Sequence, residues 1–260
     1  MARRTAIAAL VGLIAPQATS VARADHDMAA MSEAHDGSEI SVGLSVEAAQ
    51  FDTVFYVGSY QGVTPSLAWM YGRFGASAAI PLYHLDENGL STYGAGDAML
   101  GGDAVVLAGE AVRAGVALHL MFPTGSERDN LGMGHAMAMP SLWGSWRAAP
   151  LTVAASAGYG RALVDLGGQQ HNHGPMPLVD PMNMQELTWS AAADVDIGHG
   201  LQVGGRTRGA APLGTGQTRV IGGGRVAWGT PRVSTGLEVQ VGLAGDPFTV
   251  RGVLDTALRF

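Results

Sequence analysis

From Thr249 to Phe260 the chain alternates between two kinds of side chain. Val250, Gly252, Leu254, Thr256, Leu258 and Phe260 fall on one parity, and Thr249, Arg251, Val253, Asp255, Ala257 and Arg259 on the other. Successive side chains of a strand point to opposite faces, so this pattern describes a sheet with an apolar medium on one side and water on the other. The preceding segment is cleaner still. Val233, Thr235, Leu237, Val239, Val241 and Leu243 oppose Arg232, Ser234, Gly236, Glu238, Gln240 and Gly242.

The same alternation recurs upstream and predicts twelve strands, near 39–49, 62–72, 75–83, 97–108, 111–122, 136–148, 151–162, 186–197, 201–211, 217–229, 231–243 and 249–260. Most have about the 9–11 residues that a tilted strand needs to cross a bilayer. Tight turns at Gly72 to Gly75, Gly109-Glu110, Ala149-Pro150, Gly198 to Gly200 and Gly229 to Pro231 alternate with longer links near 50–61, 84–96, 123–135, 163–185, 212–216 and 244–248. Short periplasmic turns and longer outer loops on an even strand number are the pattern of an antiparallel up-and-down transmembrane β-barrel. Tyr71, Trp146, Trp228 and Phe260 then face outward at one rim and Tyr159 and Trp189 at the other, as two interfacial girdles. A soluble sandwich would put its apolar face inside. Here the other face is too small and polar for a dry core.

The ends fit export. Arg3 and Arg4 precede the apolar run Thr5 to Pro16, and Ala22-Arg23-Ala24 offers small residues for cleavage, so residues 1–24 read as a signal peptide removed after Ala24. Residues 25–38 then form a flexible periplasmic segment rich in His and Met, and 39–260 the barrel in the bacterial outer membrane. The expected partners are outer-membrane lipid, a small solute, and the barrel-assembly machinery acting on the last strand, which closes the ring against the strand near Ile40. Cysteine and lysine are absent, and the net charge of −7 argues against nucleic acid as a partner. The 38 glycines, scattered through alternating segments, suit a sheet that bends and turns often.

Gly94-Ala95-Gly96-Asp97, then Phe122-Pro123-Thr124-Gly125, the loop Leu131 to Gly134 and Pro140 resemble the outer-membrane transporter family named for meta-pathway phenol degradation. The motifs cover about residues 94–147. The resemblance implies a barrel that passes or binds small, often hydrophobic, molecules. Read by themselves, Pro123 and Gly125 need only a turn.

Charged residues on the inward parity define the candidate lumen: Asp97, Asp103, Arg113, His119, Arg206, Arg208, Arg225, Glu238, Arg251 and Asp255. On lipid each arginine would cost about 2–4 kcal/mol at the midplane, so they form a mixed-charge ladder that sets what passes. Histidine and methionine gather in three places. His26, Met28, Met31 and His35 lie near the N-terminus, Met133, His135, Met137 and Met139 in the third outer link, and His171, His173, Met176, Met182 and Met184 in the fourth. Imidazole and thioether together suit copper, Cu(I) above all. The expected function is therefore a small-solute channel or transporter that requires no cofactor. A copper-binding outer-membrane protein and a purely structural barrel are the alternatives. No G-x-S-x-G elbow, H-E-x-x-H pair or Walker loop occurs, so no enzyme is expected.

Overall fold

The computed structural model describes residues 38–52, 57–163, 182–245 and 248–260. The expected signal peptide and its cleavage after Ala24 lie outside them. The strands are β1 (Ser38–Asp52), β2 (Val57–Tyr71), β3 (Phe74–Ala79), β4 (Leu82–Glu87), β5 (Leu90–Ala95), β6 (Ala98–Ala108), β7 (Val112–Phe122), β8 (Met137–Ala148), β9 (Leu151–Ala162), β10 (Gln185–Gly198), β11 (Leu201–Pro212), β12 (Arg219–Gly229), β13 (Val233–Ala244) and β14 (Val250–Arg259). All neighbours pair antiparallel. The sheet closes where β1 meets both β2 and β14. No helix among the described residues is long and apolar enough to cross a membrane.

Two of the staves are built from two strands each. The lower half of β2 pairs with β3 and its upper half with β4, so β3 and β4 stand end to end, broken at Ile80-Pro81. Likewise β6 pairs with β3 and β5 with β4, broken at Gly96-Asp97. Pro81 has no N–H to donate to a ladder. Its carbonyl instead accepts from Gly96 N at 2.8 Å, and Ile80 N donates to Pro65 O at 3.3 Å, so the two breaks sit side by side. Counted by staves, the fold is a closed antiparallel barrel of 12 strands.

The last strand closes the ring as its pattern requires. Phe260 N donates to Ile40 O at 2.9 Å and Ile40 N to Phe260 O at 3.3 Å. That end carries the tight turns and is the periplasmic end by the usual polarity of such barrels. Two expected links are corrected. Residues 84–96 are not a loop: β4 and β5 run on to a two-residue turn at Asn88-Gly89, whose φ values of 51° and 84° fit the hairpin turn that matches strand twist. The first link is shorter than 50–61, because β1 reaches Asp52 and β2 starts at Val57. Asn88 holds that extension, donating from its backbone to Val57 O at 2.9 Å and accepting from Val57 N at 3.2 Å through Oδ1.

The outward face is aliphatic. Ile40, Val42 and Leu44 on β1, Leu142 on β8 and Leu237, Val239, Val241 and Leu243 on β13 are exposed. So continuous an apolar band would be a large hydrophobic patch in water and is satisfied by lipid. Trp69, Tyr71, Phe74, Trp146, Trp228 and Phe260 ring its periplasmic edge. There the rings of Trp69 and Tyr71 stack at 6.2 Å and 1°. Trp189 and Tyr159 face outward toward the opposite edge.

Candidate functional site

The inward face is the candidate site, and it has two unlike walls. The first, from β10 round to β2, is charged. Arg206 Nη1 lies 3.3 Å from Glu238 Oε2, and its Nη2 lies 3.8 Å from Asp194 Oδ2. Arg225 Nη2 lies 3.1 Å from Asp255 Oδ2. Arg219 Nη2 donates to both oxygens of Glu186, at 2.7 and 2.9 Å. Arg251 is the most connected. Its Nε and Nη2 donate to Gln240 Oε1 at 2.8 and 2.6 Å, and its Nη1 donates to Tyr60 OH at 3.1 Å and lies 3.5 Å from Glu47 Oε2. The Phe248 ring covers the same guanidinium at 4.4 Å.

Four of these contacts share a geometry. Arg206 to Glu238, Arg225 to Asp255, Arg219 to Glu186 and Arg251 to Tyr60 join strands that are not neighbours, passing over a small inward residue on the strand between. Arg225 on β12 reaches Asp255 on β14 over Gly236, where an added Cβ would lie 2.6 Å from Arg225 Nη2 and 2.8 Å from Asp255 Oδ2. Arg251 on β14 reaches Tyr60 on β2 over Ala49, which pairs with both residues. Arg219 on β12 reaches Glu186 on β10 past Ala210, its ladder partner on β11. Arginine supplies the length and the fork that such a reach needs. The small residues on the polar face make room for it.

The second wall, β6 to β9, is less polar, although Asp103, Arg113 and His119 share its inward face. Val105, Ala117 and Trp143 cluster in its lower half, with the indole laid over Gly115, where an added Cβ would fall 2.5 Å from the ring. Asp103 shares this face. Neither Asp103 Oδ2 nor Trp143 Nε1 has a hydrogen-bond partner among the described residues, although both atoms are buried. Higher up, Met99, Met121, Met133, Met137 and Ala162 form a buried cluster, with Met139, Met182 and Met184 packed against it. Phe51, Tyr60, Tyr83, Leu85, Leu131, Ile221 and Phe248 fill the outer end of the other side.

The link between β7 and β8 folds against these groups, and the two short motifs hold it there. Asp97 Oδ1 accepts from Gly125 N at 2.9 Å and its Oδ2 from Met133 N at 2.7 Å. Thr124 Oγ1 donates to Gly96 O at 2.7 Å and accepts from Ala98 N at 2.8 Å, satisfying the backbone at the break between β5 and β6. Asn130 Nδ2 donates to Glu87 Oε2 at 2.8 Å. Asp97 thus serves as a clamp on this loop, and its two oxygens are engaged with backbone.

Of the other lumenal candidates, Asp103, Arg113, His119, Arg206, Arg208, Arg225, Glu238, Arg251 and Asp255 all share the inward parity. Arg206, Arg225, Glu238, Arg251 and Asp255 join the charged wall. His119 lies over Gly101 on the less polar wall, and Asp103 over Gly75. Arg208 has no ion-pair or hydrogen-bond partner among the described residues. Of the His and Met candidates, Met133, Met137, Met139, Met182 and Met184 come together, and His135 is buried beside them in sequence. His26, Met28, Met31, His35, His171, His173 and Met176 lie outside the described residues. Sequence reasoning missed Met99, Met121, Trp143 and the Glu186 knot. The parity that turns Asp103 and His119 inward also turns Met99 and Met121 inward, and the one that turns Trp146 to lipid turns Trp143 away from it.

A closed antiparallel ring with an apolar, aromatic-edged exterior and a polar interior defines an outer-membrane β-barrel. No protein-family model matches the chain, and no curated protein matches it. Among solved structures it is similar to the COG4313 outer membrane channel from Pseudomonas putida F1, with TM-score 0.65 and 11% identity over 87% of this chain and 96% of that one. It is also similar to the translocator domain of the autotransporter NalP from Neisseria meningitidis, with TM-score 0.56 and 11% identity over 92% of this chain and 94% of that one. The KdgM porin aligns with TM-score 0.54 and 12% identity over 85% of this chain and 99% of that one. At these identities the likeness is one of fold.

Proposed function

We propose that this chain is an outer-membrane channel for a small, partly apolar solute. The observation that carries the proposal is the two-walled lumen. An apolar body would move along the less polar wall while a polar end exchanges water for the opposite charged wall. The Arg208 guanidinium is an inward group whose hydrogen-bonding capacity is not used within the described residues, so it is a contact a passing solute would meet, with the Asp103 carboxylate acting on that solute as a fixed charge from the opposite wall. Arg206, Arg219, Arg225 and Arg251 are held by acids and act as the frame. The channel and porin among the similar folds, and the resemblance of Gly94 to Asp97 and Pro123 to Gly125 to an outer-membrane transporter family, support this reading.

Reconstitution tests it. The refolded barrel should give small, voltage-stable conductance steps in planar bilayers and admit small aromatic acids or alcohols into liposomes. Arg208→Met and Asp103→Asn should change the ratio of anion to cation passage in opposite directions while the barrel stays heat-modifiable. A folded barrel with neither conductance nor uptake overturns the proposal.

A further inference from the structure

Four segments bring their methionines to one place. Met99 comes from β6, Met121 from β7, Met133 from the loop pinned by Asp97, and Met137 from the start of β8. All four are nearly inaccessible, and Met137 is 0% exposed. With Met139, Met182 and Met184, 7 of the chain's 12 methionines pack in one cluster. The other buried clusters use Leu85, Leu131, Val105, Phe51, Tyr60 and Trp143, so this concentration is local and not a habit of the whole interior.

We infer that this cluster, with His135, is a binding site for a soft monovalent metal ion, Cu(I). The proposal goes beyond the channel reading and does not depend on it. Thioether sulfur is a soft, neutral donor that favours Cu(I) over hard or borderline divalent ions, whose charge needs carboxylate or thiolate. The donors gathered here are of the thioether type. Met133, His135 and Met137 are all buried, on either side of a bend at Gly134, whose φ is 71° and which is itself exposed. One short segment thereby carries two sulfurs of the cluster and a buried imidazole between them in sequence. Packing alone gives a poor account of the composition, because methionine fixes rotamers less well than leucine in a core. Met139, Met182 and Met184 are only partly buried and give the ion a thioether-lined way in.

The test uses the full chain refolded in detergent. Cu(I) is titrated anaerobically against a chromophoric chelator, and Ag(I) serves as a redox-inert probe. One ion per barrel is expected, with sulfur in its first shell by X-ray absorption. Met99→Leu/Met121→Leu/Met137→Leu keeps the packed volume nearly constant and should weaken that site at least about tenfold. A second variant, with His26 and His35 changed to Ala and Met28 and Met31 to Leu, should keep it. Heat-modifiability reports folding of each variant, and bilayer conductance reads the channel proposal separately. If the triple variant misfolds, Met137→Leu alone and the sulfur shell of the wild type decide. Unchanged affinity in the folded methionine variants, loss of all binding in the N-terminal variant, or a first shell without sulfur overturns the inference.

Discussion

Asp97→Ala should open the loop between β7 and β8 while leaving the barrel closed. Its carboxylate accepts two backbone N–H groups, from Gly125 at 2.9 Å and from Met133 at 2.7 Å. A hydrogen bond to a charged acceptor contributes about 1.5–3 kcal/mol, so the clamp is worth about 3–6 kcal/mol against local opening. At about 1.4 kcal/mol per factor of ten, amide exchange at Gly125 and Met133 should accelerate about 10²- to 10⁴-fold. Asp97→Asn should fall between, since its carboxamide keeps one acceptor but sets an N–H₂ donor against the other amide. Strand amides such as those of β13 and β14 serve as the internal control, because none of their ladder bonds is touched. The measurement is hydrogen exchange on the refolded barrel, resolved over residues 122–137. Unchanged exchange at both amides in the alanine variant, with the barrel intact, would show that the loop is held by its apolar contacts and that the clamp contributes little.

The charged wall gives two further predictions. Gly236→Ala places a methyl between Arg225 and Asp255 and should lower the urea stability of the barrel in lipid vesicles by about 1–3 kcal/mol, the usual cost of overpacking; in an Arg225→Met/Asp255→Leu background the same methyl should cost far less. Glu186→Leu removes the acceptor of Arg219 and of the Asn183 backbone N–H and leaves Asn183 Nδ2 only Gln217 O. It should cost about 3–5 kcal/mol in the same assay, and adding Arg219→Met should recover most of that.

The strands were legible because lipid writes its boundary into the sequence: every second residue from Val233 to Leu243 lies on the membrane face, and all but Thr235 are aliphatic. Ring closure followed from strand parity. The stretch 84–96 was misjudged because Asn88-Gly89, a strong hairpin signal, sits among other turn formers such as Asp86 and Gly94, and strand continuation through Ile80-Pro81 has no alternation to betray it. Within the lumen, parity identified which side chains face inward but not which of them meet. Arg206 and Glu238 are brought together by the stagger of β11 against β13, a property of the closed barrel that no local pattern contains. The methionine cluster was half visible. Met133, Met137 and Met139 stand out by density, whereas Met99 and Met121 are single residues in ordinary strands and join only through the pairing of β6 with β7.

The paired breaks at Ile80-Pro81 and Gly96-Asp97 divide the wall into two storeys with separate means of support. Below them β3 and β6 complete the ring through their own ladders. Above them β4 and β5 lean on β2, on the Asn130 to Glu87 contact and on the apolar packing around Leu85 and Leu131. The upper storey is therefore open to revision: residues added at Asn88-Gly89 would lengthen an outward-projecting hairpin without shifting the register of any bilayer-spanning strand. A barrel arranged in this way can acquire a new outer surface, and with it new specificity, while inheriting its membrane-spanning ring unchanged.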